Sequence, residues 1–182
     1  QGLTLDGLIE LAYDPYLPAF EKVIPGLIAA YDNNAGNFPN LEEPIEVLRN
    51  WDLTTSEESV AMSLAHFYGS NYLRENTFPE GLNAMERMEY IGNISPEKER
   101  LAVLKKTIDQ LTSDFGSWKT QWGEINRYQR ITGDIEQNFN DSLPSIAVGM
   151  ASGNWGALAS FGARSYNTKR IYGTSGNSFV AV

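Results

Sequence analysis

The chain has 182 residues, the size of one ordinary domain or of a large piece of a bigger one. A hydrophobic fraction of 42%, including four tryptophans, supplies a real core and excludes a disordered chain. Lys and Arg total 14 against 23 Asp and Glu, a formal charge of −9 with the bases scattered, so nucleic acid and anionic membranes are poor partners.

In chain order, Thr4 is placed to cap a helix carrying Leu8, Ile9, Leu11 and Ala12, which ends before Pro15. Pro18 suits the first turn of a second helix through Phe20, Val23, Ile24, Leu27, Ile28 and Tyr31. Pro25 lies inside it and is expected to kink or split it. Asn33 to Asn40 reads as loop, and Glu42 to Trp51 as a short helix with Ile45, Leu48 and Trp51 on one face. Thr55 and Glu58 have capping-box spacing and predict a helix to about Tyr72 or Leu73, with Val60, Leu64, Phe67 and Tyr68 at helical intervals. A turn at Phe78 to Glu80 precedes a short helix from Leu82 to Tyr90. Ser95 as cap and Pro96 at the first helical position open the clearest helix, in which Leu101, Leu104, Ile108 and Leu111 recur by three and four and Gly116 marks the exit.

Beyond Trp118 glycine and aromatic residues become frequent. Ser145 to Met150, Ala157 to Phe161 and Ser178 to Val182 read as short strands joined by Gly/Asn/Ser turns. The expected class is α+β, a helical block over 1–117 followed by a smaller β-rich block over 118–182. No internal repeat or low-complexity segment interrupts it.

The residues offer little visible chemistry. With no cysteine there is no disulfide, zinc–thiolate site or thiol nucleophile. His66 is the one histidine; it sits in a helix between Leu64 and Phe67 with no evident partner and reads as an ordinary helix residue. No serine has a Gly-x-Ser-x-Gly setting. Asp52, Glu57 and Glu58 are close in sequence, but acids suit the first turn of a helix, and Asn138 to Asp141 lacks the spacing of a calcium loop. Glu42 and Glu43 read as a solvated pair rather than paired catalytic acids. Gly173 to Gly176 lacks the Lys-Ser/Thr of a phosphate loop and reads as a turn. Trp118, Trp122, Tyr128 and Trp155 could form a sugar platform, although core packing explains them more simply. No apolar run approaches the roughly 20 residues of a membrane span.

Three stretches in order carry a resemblance. They are Leu48 to Asp52 followed by Ser59 to Leu64, then Trp122 to Arg127, then Tyr172 to Val182, where a glycine-rich polar turn is expected to feed a strand of the main sheet. Together they resemble the penicillin acylase (penicillin amidase) family of N-terminal nucleophile hydrolases, which includes cephalosporin and acyl-homoserine lactone acylases. The resemblance implies that the β-rich block belongs to an αββα sandwich. It also implies a precursor cut into α and β chains, with a new N-terminal serine attacking an amide carbonyl and its own amino group acting as base. That serine, the oxyanion asparagine with its arginine, and the calcium ligands of some members align upstream of Gln1. No catalytic, cofactor or metal residue is therefore assigned here, and Asn177 and Ser178 read as a plain turn. The chain starts at Gln1 rather than Met and stops in the apolar run Phe179 to Val182, so it is expected to be an internal, non-catalytic part of a β chain. Its partners would be the α chain, the N-terminal part of the β chain and a small N-acyl substrate, in the periplasm or outside the cell. Val180 and Val182 would then form an exposed edge unless paired. Two other readings stay open: a stand-alone helical binding or interaction module, and a hydrolase built from two converging carboxylates.

Overall fold

The structure, a computed structural model, describes Gly2, residues 4–130 and residues 132–176. Among these residues seven α-helices precede or lead into a four-stranded sheet, an α+β architecture. Helix α1 (Leu5–Ala12) is capped by Thr4, whose Oγ1 accepts from Gly7 N at 3.1 Å. Helix α2 (Ala19–Asn34) follows Pro18 and runs through Pro25 without splitting. Pro25 lies on the exposed face, where water can satisfy the carbonyl that its missing N–H leaves free. The opposite face holds Phe20, Val23, Ile24, Leu27 and Ala30 in the core.

The segment read as loop after α2 is instead two 3₁₀ turns, Ala35–Asn37 and Pro39–Leu41, which bury Leu41 and lead directly into α3 (Glu42–Arg49). The expected capping box at Thr55 and Glu58 does not form. Helix α4 (Val60–Glu75) starts one turn later, capped by Ser59, whose Oγ accepts from Met62 N at 3.0 Å. The Thr55 hydroxyl donates to the distant carbonyl of Gly149 instead. Ser59→Ala is therefore expected to lower stability by about 1 kcal/mol. A urea titration checks this as a lower midpoint at unchanged slope, and an unchanged midpoint would contradict Ser59 as the cap.

Helix α5 (Ala84–Glu89) begins at a capping box that the sequence reading missed: Asn83 Oδ1 accepts from Glu86 N at 3.0 Å, and Glu86 accepts from Asn83 N at 2.8 Å. It passes into a π-helical turn, Tyr90–Ile94, before α6 (Glu97–Phe115). Pro96 takes the capping position expected of Ser95. The Ser95 hydroxyl donates to Ile91 O at 2.9 Å and accepts from Arg100 Nε at 3.2 Å. Gly116 ends α6 with φ of 85°, a left-handed conformation that side chains rarely adopt.

Helix α7 (Trp122–Ile125) delivers the chain into β1 (Asn126–Tyr128), a strand the sequence did not announce. The predicted strand Ser145 to Met150 shrinks to β2 (Ile146–Ala147), and that at Ala157 to Phe161 shifts to β3 (Phe161–Arg164). Gly173 to Gly176, read as a turn, belongs to β4 (Ile171–Gly176). Ser178 to Val182, with the edge expected at Val180 and Val182, lies outside the described residues. The sheet order is β2-β1-β4-β3. β1 pairs antiparallel with β2 (Arg127 opposite Ala147) and parallel with β4 (Asn126 opposite Ile171), and β3 pairs antiparallel with β4 (Arg164 opposite Tyr172).

One hydrophobic cluster joins helices and sheet. It runs from Phe20, Leu27 and Leu64 through Trp122 and Ile125 to Trp155 and Ile171. Asn126 ties the sheet to the segment beyond β2 by donating to Val148 O at 2.8 Å and Met150 O at 2.9 Å.

Candidate functional site

His66 does have a partner, contrary to the sequence reading. Trp155 lies 89 residues away and donates its indole N–H to His66 Nδ1 at 3.1 Å. Trp122 tilts against the imidazole with ring centroids 4.7 Å apart, and Phe20 stacks on Trp155 at 4.9 Å. Gly69 makes room for this arrangement, because a Cβ there would come within 2.6 Å of the Trp155 ring. Burial lowers the His66 pKa to about 4. The ring is therefore neutral near pH 7, and its Nδ1 lone pair is occupied by a packing contact. Half-buried between Trp122, Phe67 and Trp155, the His66 ring is positioned by aromatic contacts and by the Trp155 bond.

The acids have structural work as well. Asp52 Oδ1 accepts from Thr54 Oγ1 at 2.7 Å and Thr54 N at 3.0 Å, and these bonds hold its carboxyl below the usual range. Glu57 contributes its backbone carbonyl, which accepts from Gly123 N at 2.7 Å, and its side chain is exposed like that of Glu58. Glu43 pairs with Lys119. Asp141 binds the turn before β4, accepting from Lys169 N at 2.7 Å and from Tyr172 Oη at 2.9 Å. No group of three or more acids or histidines that could hold a metal ion occurs among the described residues.

Trp122 and Trp155 are core residues, as packing suggested, and Trp118 lies half-buried against the core. Tyr128 differs: it is 41% exposed and lines an open cleft of about 800 Å³ at the sheet. The other prominent walls are Phe139, Phe161, Tyr166, Arg130 and Arg164. Phe139 is sandwiched, with Tyr172 at 5.0 Å and nearly parallel on one contact and Tyr166 at 4.6 Å on another. The Arg164 guanidinium sits 4.9 Å from the Tyr166 ring centroid and donates through Nε to the phenol oxygen at 2.9 Å. Burial alone would raise the Tyr166 phenol, but hydrogen bonds to Thr174 and Arg164, with the Arg164 charge, bring it below its usual value.

Gly173 shapes this cleft. A Cβ there would fall 1.8 Å from Phe161 Cζ, so the tip of the Phe161 ring occupies the space beside the glycine on the neighbouring strand. Buried Gln129 fixes the far wall by closing the loop between β1 and β2. Its Nε2 donates to Asn140 O at 3.0 Å, and its Oε1 accepts from Asn140 N at 2.9 Å. The sequence reading weighed Tyr128 as a ligand-facing aromatic, took Asn138 to Asp141 and Gly173 to Gly176 only as a loop and a turn and Phe161 only as a strand end, and did not single out Arg130, Arg164 or Tyr166. Arg164 and Tyr166, two positions apart, were the available hint, but nothing local pairs them with Phe139.

The penicillin amidase family model matches residues 1–182, and the chain belongs to that family. It is thus related to the acylases, a class of hydrolases. No curated protein matches it.

Proposed function

We propose that this chain is a non-catalytic part of an acylase that hydrolyses N-acyl amide bonds of the penicillin, cephalosporin or acyl-homoserine lactone kind. Its role is scaffold for a serine nucleophile carried by another part of the same protein, exported to the periplasm or beyond. The observation that carries the reading is the engagement of His66, the only imidazole of a cysteine-free chain, by Trp155 in a family-matched fold. An N-terminal serine that uses its own amino group needs no histidine from this region.

A chromogenic N-acyl nitroanilide series assayed on the 182-residue chain and on the product of the complete gene tests this. The expected result is no turnover above buffer for the chain, and turnover by the complete product that is lost when its nucleophilic serine is changed to alanine. Turnover by the chain alone would refute the non-catalytic role. A complete product inert toward every acyl group would refute the acylase.

A further inference from the structure

We propose that the cleft between the sheet and the β1–β2 loop is a binding site for a planar aromatic carboxylate. Its walls supply what such a ligand needs. Tyr128, Phe139, Phe161 and Tyr166 offer ring faces and edges, and Tyr128 keeps 41% of its surface open to solvent without a ligand. Arg164 is held beside Tyr166, its guanidinium 4.9 Å from the ring centroid and its Nε donating to the phenol oxygen. Its Nη1 and Nη2 have no partner among the described residues, which leaves a fixed two-pronged donor of the kind that grips a carboxylate. Arg130 also lines the cleft and has no bonded partner among the described residues.

The charge distribution points the same way. The whole chain carries 23 acids and 14 bases, yet this cleft is lined by two arginines and one acid, Glu136. A local positive excess on an acidic protein favours an anion there over other faces. The aromatic walls select a ring-bearing anion over a small inorganic one, because a cleft of this kind stabilises its occupant mostly through apolar contact and uses a few polar groups for orientation. Phe161 is set over Gly173, and Arg164 lies on the same strand, β3, so ring contact and anion contact are presented by one rigid element. The site is independent of hydrolysis: binding can be found in a protein that cleaves nothing, and can fail in an active acylase.

The test is calorimetric titration of the full chain with 2-naphthoate, with the neutral 2-naphthalenemethanol and with cyclohexanecarboxylate. Naphthoate is expected to bind saturably at one site, with the alcohol and the aliphatic acid each at least about tenfold weaker. Arg164→Gln is expected to weaken naphthoate by about tenfold while leaving the alcohol unchanged. Tyr128→Ala, at an exposed position that threatens no core contact, is expected to weaken naphthoate and the alcohol alike. Absence of saturable binding, equal affinity for acid and alcohol, or naphthoate affinity unchanged in Tyr128→Ala overturns the proposal.

Discussion

Replacing Gly26 with alanine is expected to destabilise the protein by about 3 kcal/mol or more, although the same change in an ordinary helix would stabilise it by up to about 1 kcal/mol. Gly26 is buried in the middle of α2, where it meets the π-helical turn that links α5 to α6. A Cβ at Gly26 would sit 1.6 Å from the carbonyl oxygen of Gly92. The reciprocal approach is as close, because a Cβ at Gly92 would sit 1.7 Å from Lys22 O. Both obstructions are backbone, so no side-chain rotation relieves them and the two elements must separate. Separation also pulls the Gly26 carbonyl from the buried Arg100, whose Nη1 donates to it at 2.8 Å while Nε and Nη2 hold Ser95 O at 3.1 and 2.6 Å. A buried guanidinium that loses a carbonyl partner leaves an unsatisfied donor, which adds to the overpacking penalty.

Urea unfolding of Gly26→Ala and Gly92→Ala measures the effect, with Gly36→Ala as the control at a glycine whose Cβ meets nothing within 4 Å. The control should fall within about 0.5 kcal/mol of wild type. The double variant should be less destabilised than the two losses added together, because one separation of α2 from the π turn relieves both clashes. A Gly26→Ala protein as stable as the control would mean that the close backbone approach does not exist in solution.

This contact shows where the sequence was readable and where it was not. The long helices were legible because burial repeats along them: Leu101, Leu104 and Leu111 of α6 are all in the core, and Gly116 takes the left-handed exit its position announced. Gly92, by contrast, looked like nothing in particular, since its reason for being glycine lies on α2, more than sixty positions away. Thr55 misled for the same cause. Its local spacing promised a cap, but its hydroxyl is bonded to the carbonyl of Gly149, 94 residues on. The strands were hardest to see because they are too short to display a period of two: β1 has three residues and β2 has two. Gly173 and Gly176 spelled a turn by composition yet lie in a strand: a Cβ at Gly173 would meet the Phe161 ring of β3, and one at Gly176 would come within 2.9 Å of the Ser160 carbonyl oxygen. The walls of the cleft suffer the same limit. Arg164 and Tyr166 are two positions apart, but Phe139 reaches them from the segment between β1 and β2.

His66 carries the second large effect, and it is read through pH. Its folded pKa is about 4, lowered by burial from 6.5 in the unfolded chain. Between those values the unfolded state binds a proton that the folded state refuses, so acidification favours unfolding. The stability His66 contributes is fully present above pH 6.5 and is lost as pH falls toward 4, with a slope of up to about 1.4 kcal/mol per pH unit. Going from pH 7 to pH 5 is expected to remove up to about 2 kcal/mol through this residue. The carboxylates with lowered values, Asp52, Glu75 and Glu97, start from 3.8, 4.5 and 4.5, so their contribution appears mainly below pH 5. The window from pH 5 to 7 therefore isolates the imidazole. His66→Gln keeps an amide oxygen for the Trp155 indole N–H and removes the titration. It should be less stable than wild type at pH 7 through imperfect packing, yet nearly flat between pH 7 and 5, so the two urea stability curves converge as the solution is acidified. Trp155→Phe deletes the donor and leaves the ring buried by Trp122 and Phe67. Its folded His66 should titrate at a higher pH than in wild type, because the Trp155 bond occupies the lone pair that must take the proton. Two-dimensional NMR of the imidazole reads that value directly. Parallel pH profiles for wild type and His66→Gln, or an imidazole that protonates near pH 6.5 in the folded protein, would contradict the desolvated setting of His66 and its bond from Trp155.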